Sequence, residues 1–195
     1  MATETKLRQL ADKGCPVYYF YSSERYLVRQ AVAAVTAITR ILTADSDEDA
    51  TALDGAAPEI EQLIMAAGTI SFFGTRRVVV LPEIDPAAYS DKDLEELNST
   101  LSSLENAVVV LGSVFELERS KLKTGKRAQK LIAQCKALGY TEELAKPKPF
   151  ELKMMMIDRA KEQKTTLPDG AAAALLERCG GAAGALRRGS VPFGK

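Results

Sequence analysis

Short apolar runs alternate with stretches of helical periodicity up to residue 145 of this 195-residue chain. The strongest runs cover residues 16–21, 77–81 and 107–111, and they consist mainly of aromatic and β-branched residues, which is typical of strands. Weaker runs cover residues 50–53 and 139–141. The strong runs contain few polar positions, so we expect strands that are covered on both faces of a sheet.

Four stretches between these runs place apolar residues every three or four positions, over residues 28–42, 60–67, 94–104 and 128–137. The third stretch is preceded by Ser90 and Asp93, which resemble a capping box with Asp in the place of Glu. Strands and helices that alternate at this spacing are typical of parallel sheets with helices on both faces. The sequence therefore predicts an α/β fold with a doubly wound parallel sheet.

Two prolines, Pro147 and Pro149, end this alternation. Beyond them, residues 150–163 and residues 168–180 have helical patterns, and the second of these stretches begins with a proline, as helices often do. We therefore expect a change from mixed α/β structure to purely helical structure at this point.

The same pattern divides the chain into three parts. We expect an α/β domain over residues 1–145 and a small helical domain over residues 146–180. Residues 181–195 are rich in Gly and have little apolar periodicity, which predicts a disordered tail.

The composition limits the classes of function that this chain can have. Apolar residues make up 46% of the chain, and 26 basic residues balance 26 acidic ones, which is ordinary for a soluble globular protein. The N-terminus does not resemble a signal peptide, and no apolar run approaches the length of a membrane span, so we expect a cytoplasmic protein with no membrane contact. Zero net charge disfavours tight binding to nucleic-acid backbones, so we expect any DNA role to be indirect or local.

The chain contains no His, which removes the usual general base of Ser and Cys nucleophiles and the commonest zinc ligand. Its three cysteines, Cys15, Cys135 and Cys179, lie far apart and form no metal-binding spacing. We expect no metal, no catalytic residue, and thiols that are buried or idle in a reducing compartment.

The junction between the first strand and its helix, residues 21–25, is where α/β proteins bind nucleotide phosphates. That task requires glycine backbone N–H groups and a Lys that reaches the terminal phosphates. This chain has no Gly between Gly14 and Gly55 and no Lys between Lys13 and Lys92. The sequence therefore predicts no nucleotide cofactor and no nucleotide hydrolysis.

Two acidic residues, Glu83 and Asp85, follow the strand over residues 77–81, where such enzymes hold magnesium. Without a phosphate site the metal would have nothing to bridge. Solvated loop acids are the favoured interpretation.

Residues 119–130 carry six basic residues and no acidic one. A solvated loop and helix start is the favoured interpretation, because the segment lacks aromatic partners for stacking on bases. Contact with nucleic-acid phosphates remains the alternative, with Lys121, Lys123, Lys126 and Arg127 as the candidate residues.

Phe72 and Phe73 stand side by side between a helix that stops at Gly68 and the next strand. Two adjacent aromatic side chains do not easily enter one core together, so one of them tends to be exposed or to anchor an interface. From the residues alone, packing under the sheet is favoured and the interface anchor is the alternative.

Taken together, four segments resemble the delta subunit family of the bacterial DNA polymerase III clamp loader. They are PVYYFYSSERYL at residues 16–27, LDG at 53–55, SFFGTRRVVV at 71–80 and PDGA at 168–171. The most specific is the third, which fits S-[LF]-F-x-x-[RK]-[RQ] ahead of an apolar strand. The resemblance extends from about residue 7 to residue 179.

This resemblance implies an AAA+-type sheet, then a small helical lid domain, and a collar domain that this chain does not reach, so we expect a truncated or altered C-terminus. It also implies a non-catalytic subunit of the bacterial DNA polymerase holoenzyme, acting in DNA replication. Such a subunit binds the ring-shaped sliding clamp and holds one ring interface open so that DNA can enter. Its partners would be the clamp and the other loader subunits, with DNA contacted indirectly.

The match to the family motif also assigns residues. Phe72 and Phe73 would be the apolar pair inserted in the clamp's pocket, and Ser71 and Gly74 would shape the turn that presents them. Two other function classes stay open: a P-loop-like ATPase of unknown substrate, and a nucleic-acid-binding protein that uses residues 119–130. A nucleotide-binding assay separates the first from clamp opening, and the salt dependence of DNA binding tests the second.

Overall fold

A computed structural model of the chain describes residues 4–43, 50–68, 76–119 and 121–178. The chain forms two compact units, Met1–Leu144 and Ala145–Lys195. The first unit contains all the strands found in the described residues, and the second is helical in its described part.

The strands of the first unit are β1 (Val17–Ser22), β2 (Thr51–Ala52), β3 (Arg77–Leu81), β4 (Ala107–Val114), β5 (Leu117–Glu118), β6 (Lys121–Leu122) and β7 (Tyr140–Glu143). Five of them form a parallel sheet in the order β2-β3-β4-β1-β7. The other two, β5 and β6, form a small antiparallel hairpin. In the sheet, Tyr19 lies opposite Leu111, and Val79 lies opposite Val109.

The helices of the first unit are α1 (Glu4–Asp12), α2 (Arg25–Thr43), α3 (Ile60–Gly68), α4 (Asp91–Ser103) and α5 (Lys126–Leu138). The second unit contains α6 (Pro149–Glu162) and α7 (Asp169–Arg178). The predicted capping box is present at α4: Ser90 Oγ accepts from the Asp93 backbone N–H at 3.1 Å, and the Ser90 backbone N–H donates back to the Asp93 carboxylate at 3.4 Å.

Both faces of the sheet are covered. One face packs against α3, α4 and α5 through buried side chains that include Tyr19, Leu63, Leu97, Leu111 and Leu131. The opposite face packs against α1 and α2 through a second set that includes Leu7, Phe20, Val28, Val35 and Val110. Because neighbouring strand residues point to opposite faces, the continuous apolar runs supply both cores. The predicted doubly wound α/β fold is confirmed.

Helix α1 and the β5–β6 hairpin were not predicted. Helix α1 has three apolar residues among its nine, Leu7, Leu10 and Ala11, and a stripe this short does not distinguish a helix from a loop. The hairpin strands have two residues each, which is too short for any periodicity, and Arg119 between them adopts a positive φ of 48°. Both elements depend on tertiary contacts that a local pattern does not contain.

The second unit has the two predicted helices, with α6 beginning at Pro149. Leu152 and Ala172 are buried, and Lys153 Nζ on α6 lies 2.8 Å from Asp169 Oδ1 on α7. The predicted tail over residues 181–195 lies outside the described residues.

Candidate functional site

The carboxyl edge of the parallel sheet brings together the segments that follow β1, β3 and β4. In doubly wound sheets this edge binds ligands beside two neighbouring strands whose connections run to opposite sides of the sheet. Here those strands are β1, which leads to β2, and β4, which leads through α5 to β7. The residues at this edge therefore decide whether the fold can bind a nucleotide.

The turn after β3, residues 82–85, folds over the end of β4. The Ile84 N–H donates to the Gly112 carbonyl at 2.8 Å, and the Asp85 N–H donates to the Ala56 carbonyl at 2.7 Å. A Cβ on Gly112 would lie 2.4 Å from the Pro82 carbonyl oxygen, so this close approach requires glycine.

A buried hydrogen-bond chain holds the same turn from below. The Tyr19 hydroxyl donates to Ser113 Oγ at 2.8 Å, and Ser113 Oγ donates to the Ile84 carbonyl at 2.8 Å. Burial raises the pKa of the Tyr19 phenol above its ordinary value, so the phenol keeps its proton and remains a donor. The polar groups beneath the turn are thus satisfied by one another.

Glu83 on this turn contacts two arginines of α2. Arg25 Nη2 lies 2.6 Å from Glu83 Oε1, and Arg29 Nη2 lies 3.2 Å from Glu83 Oε2. The sequence placed Glu83 where nucleotide-binding α/β enzymes hold magnesium. Its two arginine partners lie 54 and 58 residues earlier in the chain, so no local sequence pattern predicts the contact. Within the described residues, no cluster of three potential metal ligands is formed.

The β1–α2 junction is also engaged by the protein itself. Ser22 Oγ donates to the Leu144 carbonyl at 2.6 Å and accepts from the Glu24 N–H at 3.1 Å. In the first turn of α2, the N–H groups of Leu27 and Val28 both donate to the Glu24 carbonyl. The junction presents no glycine backbone and no Lys to a phosphate.

This geometry predicts that the purified chain shows no saturable binding of ATP with magnesium. The phosphates would meet Glu83 instead of a glycine-rich cradle, and no Lys is available at the junction. Isothermal titration with ATP and MgCl₂ measures this directly. Saturable binding at micromolar concentration would contradict the expectation and would return the ATPase class to consideration.

The two cysteines in the described residues are not activated nucleophiles. Burial raises the pKa of Cys135 to about 12, and it raises the pKa of Cys15 above its ordinary value. Both thiols therefore stay protonated at neutral pH.

Three of the four basic residues predicted as nucleic-acid contacts lie next to acidic ones. Lys121 stands opposite Glu118 in the β5–β6 hairpin, and Lys123 Nζ lies 3.9 Å from Glu116 Oε2. The basic segment contains no acid itself, but the hairpin folds it onto an acidic strand that precedes it.

Arg127 is also occupied, at the start of α5. Its Nε donates to Asp91 Oδ1 at 2.8 Å, and its Nη1 donates to the Ala87 carbonyl at 3.1 Å. The hydrogen bond and charge of Arg127 lower the pKa of Asp91. Lys126 is exposed and forms no ion pair with the described residues.

DNA contact by these four residues stays a prediction. The ion pairs of Lys123 and Arg127 reduce the number of phosphates that the segment can neutralise. Each neutralised phosphate contributes a slope of about −0.9 to the logarithm of affinity against the logarithm of salt concentration. Lys121 and Lys126 form no ion pair with the described residues, so we expect a slope of about −1.8 for duplex DNA. A slope near about −3.6 would show that all four residues contact phosphates, and the Lys126→Gln variant would then lose only part of it.

The predicted clamp-binding residues Ser71, Phe72, Phe73 and Gly74 lie outside the described residues. The ends of their segment are described: α3 ends at Gly68, and β3 begins at Arg77. Both ends lie at the amino edge of the sheet, opposite the edge that carries Glu83. Arg76 Nη1 donates to the Gly14 carbonyl at 2.8 Å, and the Arg77 N–H donates to the Asn106 carbonyl at 2.9 Å.

Comparison with known proteins defines the class of fold. No family model and no curated protein matches the chain. Among solved structures, RuvB of Thermotoga maritima is similar with a TM-score of 0.61 and 12% identity, over 95% of this chain and 58% of that one. The chain has an AAA+-type fold, as the sequence resemblance implied.

A second solved structure with a similar fold is that of a clamp loader protein. The DNA clamp loader delta protein (YqeN) of Bacillus subtilis is similar with a TM-score of 0.59 and 22% identity, over 95% of this chain. This chain spans 55% of the length of that protein. At this identity the likeness establishes a shared fold.

None of the described helices is long and apolar enough to cross a membrane.

Proposed function

We propose that this chain binds the bacterial sliding clamp and opens one of its ring interfaces during DNA replication, without hydrolysing ATP. The observation that carries the proposal is an AAA+-type sheet whose β1–α2 junction offers neither glycine nor Lys to a phosphate, while Arg25 and Arg29 of α2 pair with Glu83. A shared fold with a clamp loader delta protein and the Ser71–Arg77 sequence block support it. The other loader subunits would be further partners, in the cytoplasm.

The flanks of the proposed clamp-binding segment are firmly held. On one side, α3 buries Ile60, Leu63 and Ala67 against the sheet. On the other side, Arg76 bonds to the Gly14 carbonyl, and β3 is buried from Val78 onward. A binding loop on rigid supports loses less conformational freedom when it binds, which favours affinity.

Opening a ring requires more than binding to it. To shift a closed ring from 1% to 99% open, a ligand must bind the open form about 10⁴-fold more tightly than the closed form. No nucleotide is needed for this shift, because the difference in affinity alone drives it. Phe72 and Phe73 would contribute binding free energy, and the rigid α/β unit would favour the open geometry.

Clamp unloading tests this proposal. Clamp rings are placed on nicked circular DNA, the purified chain is added without ATP, and release of the ring is followed by gel filtration. We expect the unmodified chain to accelerate release, and the Phe72→Ala/Phe73→Ala variant to leave the spontaneous rate unchanged. Binding without faster release would contradict the opening step, and release that requires ATP would contradict the nucleotide-independent mechanism.

A further inference from the structure

Glu83 occupies an anion-binding arrangement made by the protein itself. Each oxygen of its carboxylate is held by a different guanidinium, Oε1 by Arg25 at 2.6 Å and Oε2 by Arg29 at 3.2 Å. Two arginines that converge on two oxygens of one anion are a common arrangement for carboxylate and phosphate recognition. Here the bound anion is a side chain.

The backbone that carries Glu83 is fixed, so the contact is built into the fold. Hydrogen bonds to Gly112, Ala56 and Ser113 hold the two residues that follow Glu83. A side chain at position 112 would collide with the Pro82 carbonyl, so glycine allows the turn to lie this close to β4. The turn therefore delivers the carboxylate to the beginning of α2.

The two arginines remain open to solvent although they are paired. Their side chains are 63% and 61% exposed, whereas the Glu83 side chain is 27% exposed. A solute anion can therefore reach both guanidinium groups, but it must compete with Glu83 for them. Removal of the carboxylate charge would leave two cations at a spacing that already suits two oxygens of one ligand.

We propose that Glu83 is an internal anion that fills a latent phosphate site formed by Arg25 and Arg29, and that it excludes polyphosphates from the carboxyl edge of the sheet. Glu83 stands where nucleotide-binding α/β enzymes hold magnesium, and its carboxylate thus contacts the two arginines in place of a phosphate ligand. This inference concerns the opposite edge of the sheet from the clamp-binding segment, and it does not depend on clamp binding.

Titration with inorganic pyrophosphate tests the site. Four proteins, each covering residues 1–195, are compared by isothermal titration at low ionic strength: the unmodified chain, Glu83→Gln, Asp85→Asn, and Glu83→Gln combined with Arg25→Gln and Arg29→Gln. Asp85→Asn is the matched control, because it removes one negative charge from the same turn without releasing the arginines. Asp85 Oδ1 accepts from the Ala87 N–H, a bond that the Asn oxygen can also accept.

We expect Glu83→Gln to bind pyrophosphate about tenfold more tightly than the unmodified chain, since it frees two charge-assisted donors. Asp85→Asn should bind like the unmodified chain, and the triple variant should lose the gain. The proposal is overturned if the unmodified chain binds as tightly as Glu83→Gln, if Asp85→Asn gains equally, or if the gain survives loss of both arginines. It is also overturned if Glu83→Gln gains nothing while its thermal unfolding shows that it is folded.

Discussion

Replacement of both Phe72 and Phe73 with Ala is expected to abolish measurable binding to the sliding clamp and to leave the fold nearly unchanged. Truncation of an aromatic interface anchor typically costs about 2–4 kcal/mol, so the pair would weaken binding by roughly 10³-fold or more. The fold should tolerate the change, because anchors that insert into a partner contribute little to their own core. Clamp affinity and the free energy of unfolding are measured on the same preparations.

The control for this variant is Phe150→Ala, which removes an exposed aromatic side chain far from residues 72 and 73 in sequence. It should keep full clamp affinity. If the double variant instead unfolds far more easily, by the ~3–5 kcal/mol expected for each Phe lost from a core, then the rings are packing residues. The clamp-binding assignment would then lose its central residues.

Replacement of Gly112 with Ala is expected to cause a large loss of stability for the addition of a single methyl group. The new Cβ would lie 2.4 Å from the Pro82 carbonyl oxygen and 2.7 Å from Val28 Cγ1. The oxygen belongs to the backbone and cannot rotate away, so either the turn or β4 must move. We expect a decrease of about 3 kcal/mol in the free energy of unfolding, measured by urea denaturation.

Gly125→Ala is the matched control for that change. A Cβ at position 125 meets nothing within 4 Å, and the φ of −68° suits any residue. We expect a change below about 1 kcal/mol, because Ala is a poorer N-cap than Gly but loses less backbone entropy on folding. Equal effects at the two glycines would contradict the close packing of the turn on β4.

The layers of the fold could be predicted because burial on both faces imposes a strong local pattern. Residues 78–81 of β3 and 107–111 of β4 are buried and apolar at every position, so they identify strands without any knowledge of their neighbours. Helix α1 could not be found this way, since among its described side chains only Leu7 is fully buried. Its stability comes from packing against α2 and the core beneath it rather than from its own pattern.

The candidate site was only half visible in the sequence. The sequence predicted that the phosphate-binding position is altered, because the glycines and the lysine that phosphate binding requires are missing from the β1–α2 junction. The Glu83–Arg25 contact could not be predicted, since it depends on how the turn after β3 crosses Gly112. The acidic neighbours of Lys121 and Lys123 could not be predicted either, because the folding of the β5–β6 hairpin brings them next to these lysines.

The affinity of the purified chain for an intact bacterial sliding clamp, measured by isothermal titration with and without ATP and magnesium, tests the proposed function most directly. We predict saturable binding with a Kd of roughly 1 μM or lower, unchanged by ATP and lost in the Phe72→Ala/Phe73→Ala variant. Failure of the folded, unmodified chain to bind the ring at clamp concentrations of about 100 μM would contradict the proposed function.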